Sequence, residues 1–251
     1  MIRLHDAYTR EIYDALGYFA AWPPGARVTP GDVGLISGRR FRRETSLTEL
    51  GVKFATSARE TMGDLEYATN GLVKISSNAE GEVSDAAAAK VSITFAAAGA
   101  TFFQAGDCVT ETITNLPALA RILTRKPEWE RRYVVITEVV RCCPIVVFVS
   151  SERGAEAELH VSSDAATGRT LLTNAKAGLT FATRRGFAAN LVKEDGGTPL
   201  FQAMQLRRRP RRGNIMEYRH EEFTGRPSAP ANSATDLLLR RLVWNDFAAD
   251  A

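Results

Sequence analysis

Long apolar runs are missing from this sequence. The longest, residues 95–103, is about half of the ~20 residues that a membrane-spanning helix requires, so no such helix is expected. Cysteine is scarce as well, with three in the chain: Cys108, Cys142 and Cys143. Neighbours in sequence rarely bridge each other and an odd count leaves one over. A disulfide framework is therefore not expected, and a reducing compartment fits. No secretory leader is read at the start, because Arg3, Asp6, Arg10 and Glu11 interrupt any apolar core there. These absences predict a soluble, cytoplasmic protein.

The motifs of catalysis are missing too. The chain has no GxSxG, no GxxxxGK[ST], and no GxGxxG following a strand. His5, His160 and His220 fall in an amphipathic helix, an alternating strand and a charged segment, where surface or internally satisfied histidines are the ordinary case. Cys142 and Cys143 have no CxxC elsewhere to complete a zinc site and read as packing in a strand. Enzymatic activity, metals and cofactors are not expected. A net charge of +3 implies little, so where the arginines sit matters more. They cluster at Arg39, Arg40, Arg42 and Arg43, and again at Arg207, Arg208, Arg209, Arg211 and Arg212. Nothing around them resembles a recognition helix or a stacking platform, so nucleic acid is not expected, whereas anionic lipid head groups suit both clusters.

What is present is organised around residues 133–151, YVVITEVVRCCPIVVFVSS, in which Val and Ile supply nine of nineteen positions. Such β-branched residues pack well on a pleated surface. Pro144 lacks a backbone donor and places a bend, bulge or edge near Cys143. Apolar on both faces, this stretch reads as a central strand, kinked or split in two. Upstream, Leu4, Tyr8, Ile12 and Leu16 recur at helical spacing, which predicts an amphipathic helix over 3–16 ending at Gly17. Short strands follow at 17–22 and 33–37. Residues 52–113 hold strands at 72–75 and 91–95 whose alternation is diluted by Ala, Gly, Ser and Thr, so poor burial on one face is expected.

Asn115 and Pro117 start a helix with Leu116, Leu119, Ala120 and Leu123 as its buried stripe, and Trp129 is read on a short second helix. Residues 155–162 alternate strictly and 171–183 return as a hairpin. Strands at 187–192 and 200–206 precede the second arginine cluster, the latter segment read as strand or short helix. Residues 224–233 are small, proline-rich and without apolar anchors, hence a linker. Leu239, Val243 and Phe247 fall four apart, so 235–247 reads as a helix too short to stand alone in water, which must dock. The predicted class is α+β: a central, twisted, mostly antiparallel sheet with flanking helices.

This arrangement resembles a known family, the gasdermins, and more closely their bacterial members. The likeness is carried by residues 16–33, LGYFAAWPPGARVTPGDV, and by 133–140, YVVITEVV. The latter is similar to the long strand after the helical pair in gasdermin pore-forming domains. The order of parts agrees over essentially the whole chain. The resemblance implies a protein stored as an inactive cytoplasmic monomer and cut by a protease to remove a short C-terminal inhibitory peptide. It then implies assembly into a large homo-oligomeric ring, a β-barrel pore in the inner membrane, that kills the cell in defence against phage. One departure concerns lipidation. Bacterial relatives can carry a lipid-modified Cys near the N-terminus, but the first cysteine here is Cys108, so lipidation is absent or uses another position.

On this reading residues 1–223 are the pore-forming domain, 224–233 a protease-sensitive linker and 234–251 the autoinhibitory peptide. The cleavage region is Thr224, Gly225, Arg226, Ser228, Asn232 and Ser233. The peptide docks through Leu238, Leu239, Leu242, Val243, Trp244 and Phe247. The nine clustered arginines contact anionic lipid. Leu72, Ile75, Val91, Ile93, Phe95, Leu159, Val161, Leu171, Leu179 and Phe181 lie on membrane-spanning hairpins. The alternative is a monomeric anionic-lipid- or nucleic-acid-binding module whose tail regulates access.

Overall fold

The computed structural model describes residues 4–79, 88–162, 179–208 and 237–248. Helix α1 (Leu4–Leu16) buries Tyr8 and Ile12, and Gly17, at φ 73°, ends it in the left-handed conformation that costs glycine least. Next come β1 (Phe19–Ala20), β2 (Asp32–Ser37), β3 (Arg40–Ser46), β4 (Glu60–Ala68), β5 (Val73–Ala79), β6 (Ala88–Phe95) and β7 (Thr101–Thr112). Helix α2 (Leu116–Thr124) starts as its sequence predicts, with the Asn115 side chain accepting from the Ala118 N–H and Pro117 in the first turn. Then follow β8 (Val134–Cys142), β9 (Ile145–Ser150), β10 (Ala155–Ser162), β11 (Leu179–Arg185), β12 (Phe187–Lys193), β13 (Gly197–Arg208), β14 (Leu237–Arg241) and a short helix, α3 (Trp244–Ala248).

Among the described residues the larger sheet has ten strands, and its pairings are all antiparallel. The 133–151 stretch lies at its centre. β8 and β9 form one kinked line, both pairing with β7 on one side, with β13 and β12 on the other. The bend falls at Pro144, as its missing donor dictates. One narrow pair carries the ladder across it: Cys143 N–H donates to Gly106 O (2.8 Å) and Gly106 N–H to Pro144 O (2.9 Å). Alternate residues of β9 serve opposite faces: Ile145, Val147 and Val149 pack with Tyr8 and Ile12 of α1, while Val146 and Phe148 meet the smaller sheet.

That smaller sheet runs β11-β10-β6-β5 and unites the two hairpin regions. The strands β6 and β10 pair over their whole length, from Phe95 opposite Ala155 to Ala88 opposite Ser162. Val91, Ile93 and Phe95, with Ala155, Ala157 and Leu159, form a buried row packed on Phe102, Val146 and Phe148. Poor burial was expected of the strands at 72–75 and 91–95. On β5 it holds, with Ile75 40% exposed, whereas the apolar row of β6 is buried completely, because the larger sheet supplies the face that the sequence pattern could not name.

Four further expectations are corrected. Residues 127–132 form turns, not a second helix, since the stretch between Pro127 and β8 is too short to repay helix nucleation. Leu72 sits in the turn before β5 rather than in the strand. Cys108 and Cys142 pair as a disulfide, with Cα atoms 4.2 Å apart, leaving Cys143 free and exposed. The register of β7 on β8, Val109 opposite Arg141, brings the two cysteines together across the sheet although they are 34 residues apart. Most consequential, 237–241 is a strand.

Candidate functional site: the docked C-terminal segment

The outer edge of β13 is covered in two places. β1 pairs with it at Leu200 and Phe201, and β14 from Met204 to Arg208. Leu237-Leu238-Leu239-Arg240-Arg241 has good intrinsic helix propensity, but an open sheet edge offers it a row of backbone partners, and tertiary context prevails. The ladder runs from Met204 opposite Arg241 to Arg208 opposite Leu237, and the Leu242 N–H extends it to Ala203 O (2.9 Å).

Side chains anchor the segment in two cores. Leu239 packs in the cluster containing Leu119 and Leu123 of α2. Leu242, 2% exposed, and Trp244, 8% exposed, join Phe19, Val134, Ile136 and Phe201. Trp244 lies against Tyr13 of α1 with ring centroids 5.8 Å apart, and the Arg10 guanidinium sits 5.2 Å from its ring centroid. Full burial of two such side chains contributes about 1.5–3 kcal/mol each, more than any ion pair here. Val243 is exposed and takes no part in the packing. Leu238 and Phe247 lie on β14 and α3 respectively.

Polar contacts tie the same segment to the end of α1. Arg241 Nε donates to Gln202 Oε1 (3.0 Å), and Gln202 Nε2 donates to the Gly17 carbonyl that α1 leaves open at its C-terminus. Gln202 is buried, so each of its bonds replaces one to water that the core forbids. Beside it Tyr18 donates to Glu138 (2.5 Å). Burial, reinforced by that carboxylate, raises the Tyr18 hydroxyl pKa far above its ordinary range, and the Arg241 charge pulls the other way. Asp246 receives Arg207 (2.9 Å) and Arg240 (3.7 Å), and accepts from the Val243 N–H (3.2 Å) at the start of α3.

The first arginine cluster lies on the β2–β3 hairpin, where β3 was not foreseen as a strand. Gly34 lets the two strands approach closely: a Cβ there would collide with the Arg42 carbonyl. Each arginine has a partner: Arg39 with Asp6 (2.9 Å), Arg40 with His5 (2.9 Å) and the Trp22 ring, Arg42 with Glu44 (2.7 Å), Arg43 with Asp32 and Glu49 (2.9 and 2.7 Å). Hydrogen bonding from Arg43 holds the Glu49 carboxyl below the ordinary carboxylate range. The exposed pairs among these, such as Arg42 with Glu44, are worth about 0–1 kcal/mol. In the second cluster Arg207 faces the tail and Arg208 pairs with Leu237 in the ladder. Arg209, Arg211, Arg212 and the cleavage region from Thr224 to Ser233 lie outside the described residues.

Of the hairpin residues, Val91, Ile93, Phe95 and Leu159 form the buried row, Leu72 packs at its margin, and Ile75 is 40% exposed opposite Ile93 at the β5 edge. Backbone register sets Phe181 opposite Leu159 and Leu179 opposite Val161, while Leu171 lies outside the described residues. The outward row carries Lys74, Ser76, Ser92, Thr94 and Glu156. Both hairpins are therefore two-sided, apolar on one face and polar on the other. Sequence reading missed Gln202, Tyr13, Arg10 and Asp246 as contacts of the tail. No spacing rule links them, since Gln202 and Gly17 are 185 residues apart, and only the opposite charges of Asp246 and Arg207 hinted at a partnership.

Fold and site together define an α+β protein of two packed antiparallel sheets whose C-terminal segment completes an edge of the larger one. Among the described residues no helix is long and apolar enough to cross a membrane, and no group of three His, Cys, Asp or Glu side chains is placed to hold a metal ion. No family model matches the chain, and no curated protein does. Among solved structures it is similar to a cryo-EM structure of the gasdermin A3 membrane pore, at 11% identity and a TM-score of 0.37, over 86% of this chain and 98% of that one. At that level of likeness, the functional reading rests on the chain's own residues.

Proposed function

We propose that this chain is an autoinhibited pore-former of the gasdermin type, most similar in layout to the bacterial members. The observation that supports the reading most is the tail, a terminal strand and helix completing the β13 edge and tethered through a linker with no apolar anchors. Cleavage within 224–233 leaves the tail held by non-covalent contacts alone, whereas the intact linker keeps it at high local concentration. Its departure frees the β13 edge, the Leu242 and Trp244 sites and the end of α1 together.

The smaller sheet supports the second half of the reading. A spanning strand needs about 9–11 alternating residues, and β5, β6, β10 and β11 have seven or eight each before the undescribed connections at 80–87 and 163–178. The apolar row, packed on the larger sheet in the soluble form, would face lipid, and the polar row the lumen. Strands in a bilayer can leave no edge unpaired, so many copies must close a ring. The cut protein passes from cytoplasm to inner membrane, recruited by its arginines to anionic lipid, and permeabilises the cell to limit phage. The activating protease is a partner this reading requires.

Dye leakage from liposomes containing acidic lipids tests the proposal, comparing the full chain with one ending at Ala231. Leakage by the shortened chain alone is the expected result. If both chains bind the vesicles and neither releases dye, the protein is a binding module and the proposal fails.

A further inference from the structure

A cavity of ≈310 Å³ opens beside the docked tail, with Ile36, Val134 and Leu242 among its lining and three guanidinium groups, Arg131, Arg132 and Arg207, around it. A single carboxylate, that of Asp246, lines it with them. Arg207 is held in place from both sides: its Nε donates to Gln205 Oε1 (3.0 Å) and its Nη2 reaches Asp246 Oδ1 (2.9 Å). Gln205 is itself fixed, donating to the Arg131 carbonyl (3.2 Å). Arg132 pairs with Glu130 (2.9 Å), while the Arg131 guanidinium has no ion-pair partner among the described residues. With Arg132 on Glu130 and Arg207 on Asp246, the pocket keeps one guanidinium, that of Arg131, without a carboxylate among the described residues, and guanidinium forks match the oxygens of a phosphate group.

We propose that this pocket binds a phosphate-bearing anion, which competes with Asp246 for Arg207 and loosens the C-terminal segment of the uncut protein. Asp246 bonds α3 to the pocket's arginine rim on β13, so a ligand that takes Arg207 removes that bond. The start of α3 survives the exchange, because Asp246 keeps the Val243 N–H and Arg240. The segment is then held by the ladder, the Arg241–Gln202 bond and the apolar anchors, with faster opening. A phosphodianion carries two charges to the site where the carboxylate carries one, and it can engage Arg131 and Arg207 together. The idea goes beyond removal of the tail by proteolysis. Because its readout is the tail itself, it stands or falls whether or not the chain forms pores.

The test is hydrogen exchange of backbone amides in the uncut full chain, followed by mass spectrometry at constant ionic strength. Two probes are used separately: inorganic pyrophosphate, and vesicles containing phosphatidic acid. Exchange within 237–246 should rise several-fold and saturate, while β9 amides stay protected. A response to pyrophosphate assigns the site to soluble phosphates, and a response to vesicles alone assigns it to a lipid head group. Arg131→Ser should abolish the response. Arg131 is an exposed residue whose carbonyl, not its guanidinium, bonds Gln205, so the fold does not depend on the replaced group. Asp246→Asn should raise basal exchange and leave the probes little to add. The proposal is overturned by equal acceleration with sodium chloride, by no acceleration with either probe, or by an undiminished response in Arg131→Ser.

Discussion

Gln202 shows how one buried side chain can couple distant parts of a chain. It joins the Gly17 carbonyl at the end of α1 to Arg241 of the tail, which also reaches that carbonyl directly through Nη2 (3.5 Å). Replacing it by Leu removes both of its bonds and leaves that longer contact as the direct link, a loss of about 1–3 kcal/mol for groups held away from water. Amide exchange in 237–241 should accelerate in Gln202→Leu while β8 and β9 remain protected; uniform acceleration would instead mean that Gln202 serves the core in general. Leu242 acts through packing. Leu242→Asp places a carboxylate among Val134, Ile136 and Phe201, and this variant should release dye from acidic liposomes without being cut. A Leu242→Asp chain that stays folded and inert, while the shortened chain leaks, would remove Leu242 from the inhibitory contact. The cysteines admit a simpler check. Thiol titration of unreduced, denatured protein should find one free group, Cys143, and a count of three would exclude the Cys108–Cys142 pair.

The tail docks as a strand, which changes what should imitate it. A helix would need its whole apolar face, whereas an edge strand is recognised first by its backbone, with Leu239, Leu242 and Trp244 setting the register. A synthetic peptide of residues 235–251 added in excess should suppress leakage by the shortened chain. The same peptide with Leu242 and Trp244 replaced by Ser should not, and equal suppression by both would point to a non-specific effect. In the smaller sheet, backbone register places Phe181 opposite Leu159 of the buried row. Leu179→Asp and Phe181→Asp should each abolish leakage by the shortened chain, because a charge on a lipid-facing strand is costly near the midplane. Circular dichroism that matches the parent makes the loss attributable to the membrane step.

The amphipathic strands of the smaller sheet need somewhere to put their apolar row, and here the larger sheet provides it. On the proposed reading lipid is a second partner for the same side chains, and the balance between the two is shifted by whatever holds the edge of β13 closed. Much of this was legible from local pattern. The amphipathic spacing of α1, the cap and proline of α2, the β-branched density of 133–151 and the bend at Pro144 are all set by neighbours a few residues apart, so the chain declares them directly. So was the docking of an apolar segment beyond residue 234, through anchors such as Leu239, Leu242 and Trp244. What the local pattern could not declare depends on partners far away in sequence. The Leu-rich tail has helix propensity and becomes a strand because β13 has an open edge. Cys108 meets Cys142 because β7 and β8 share a register. The apolar row of β6 and β10 gains a core because it packs on the larger sheet, and Gln202 finds Gly17 across 185 residues. Local propensities differ by tenths of a kcal/mol per residue, whereas an unpaired edge or an uncovered apolar row involves several, so the long-range terms decided these elements.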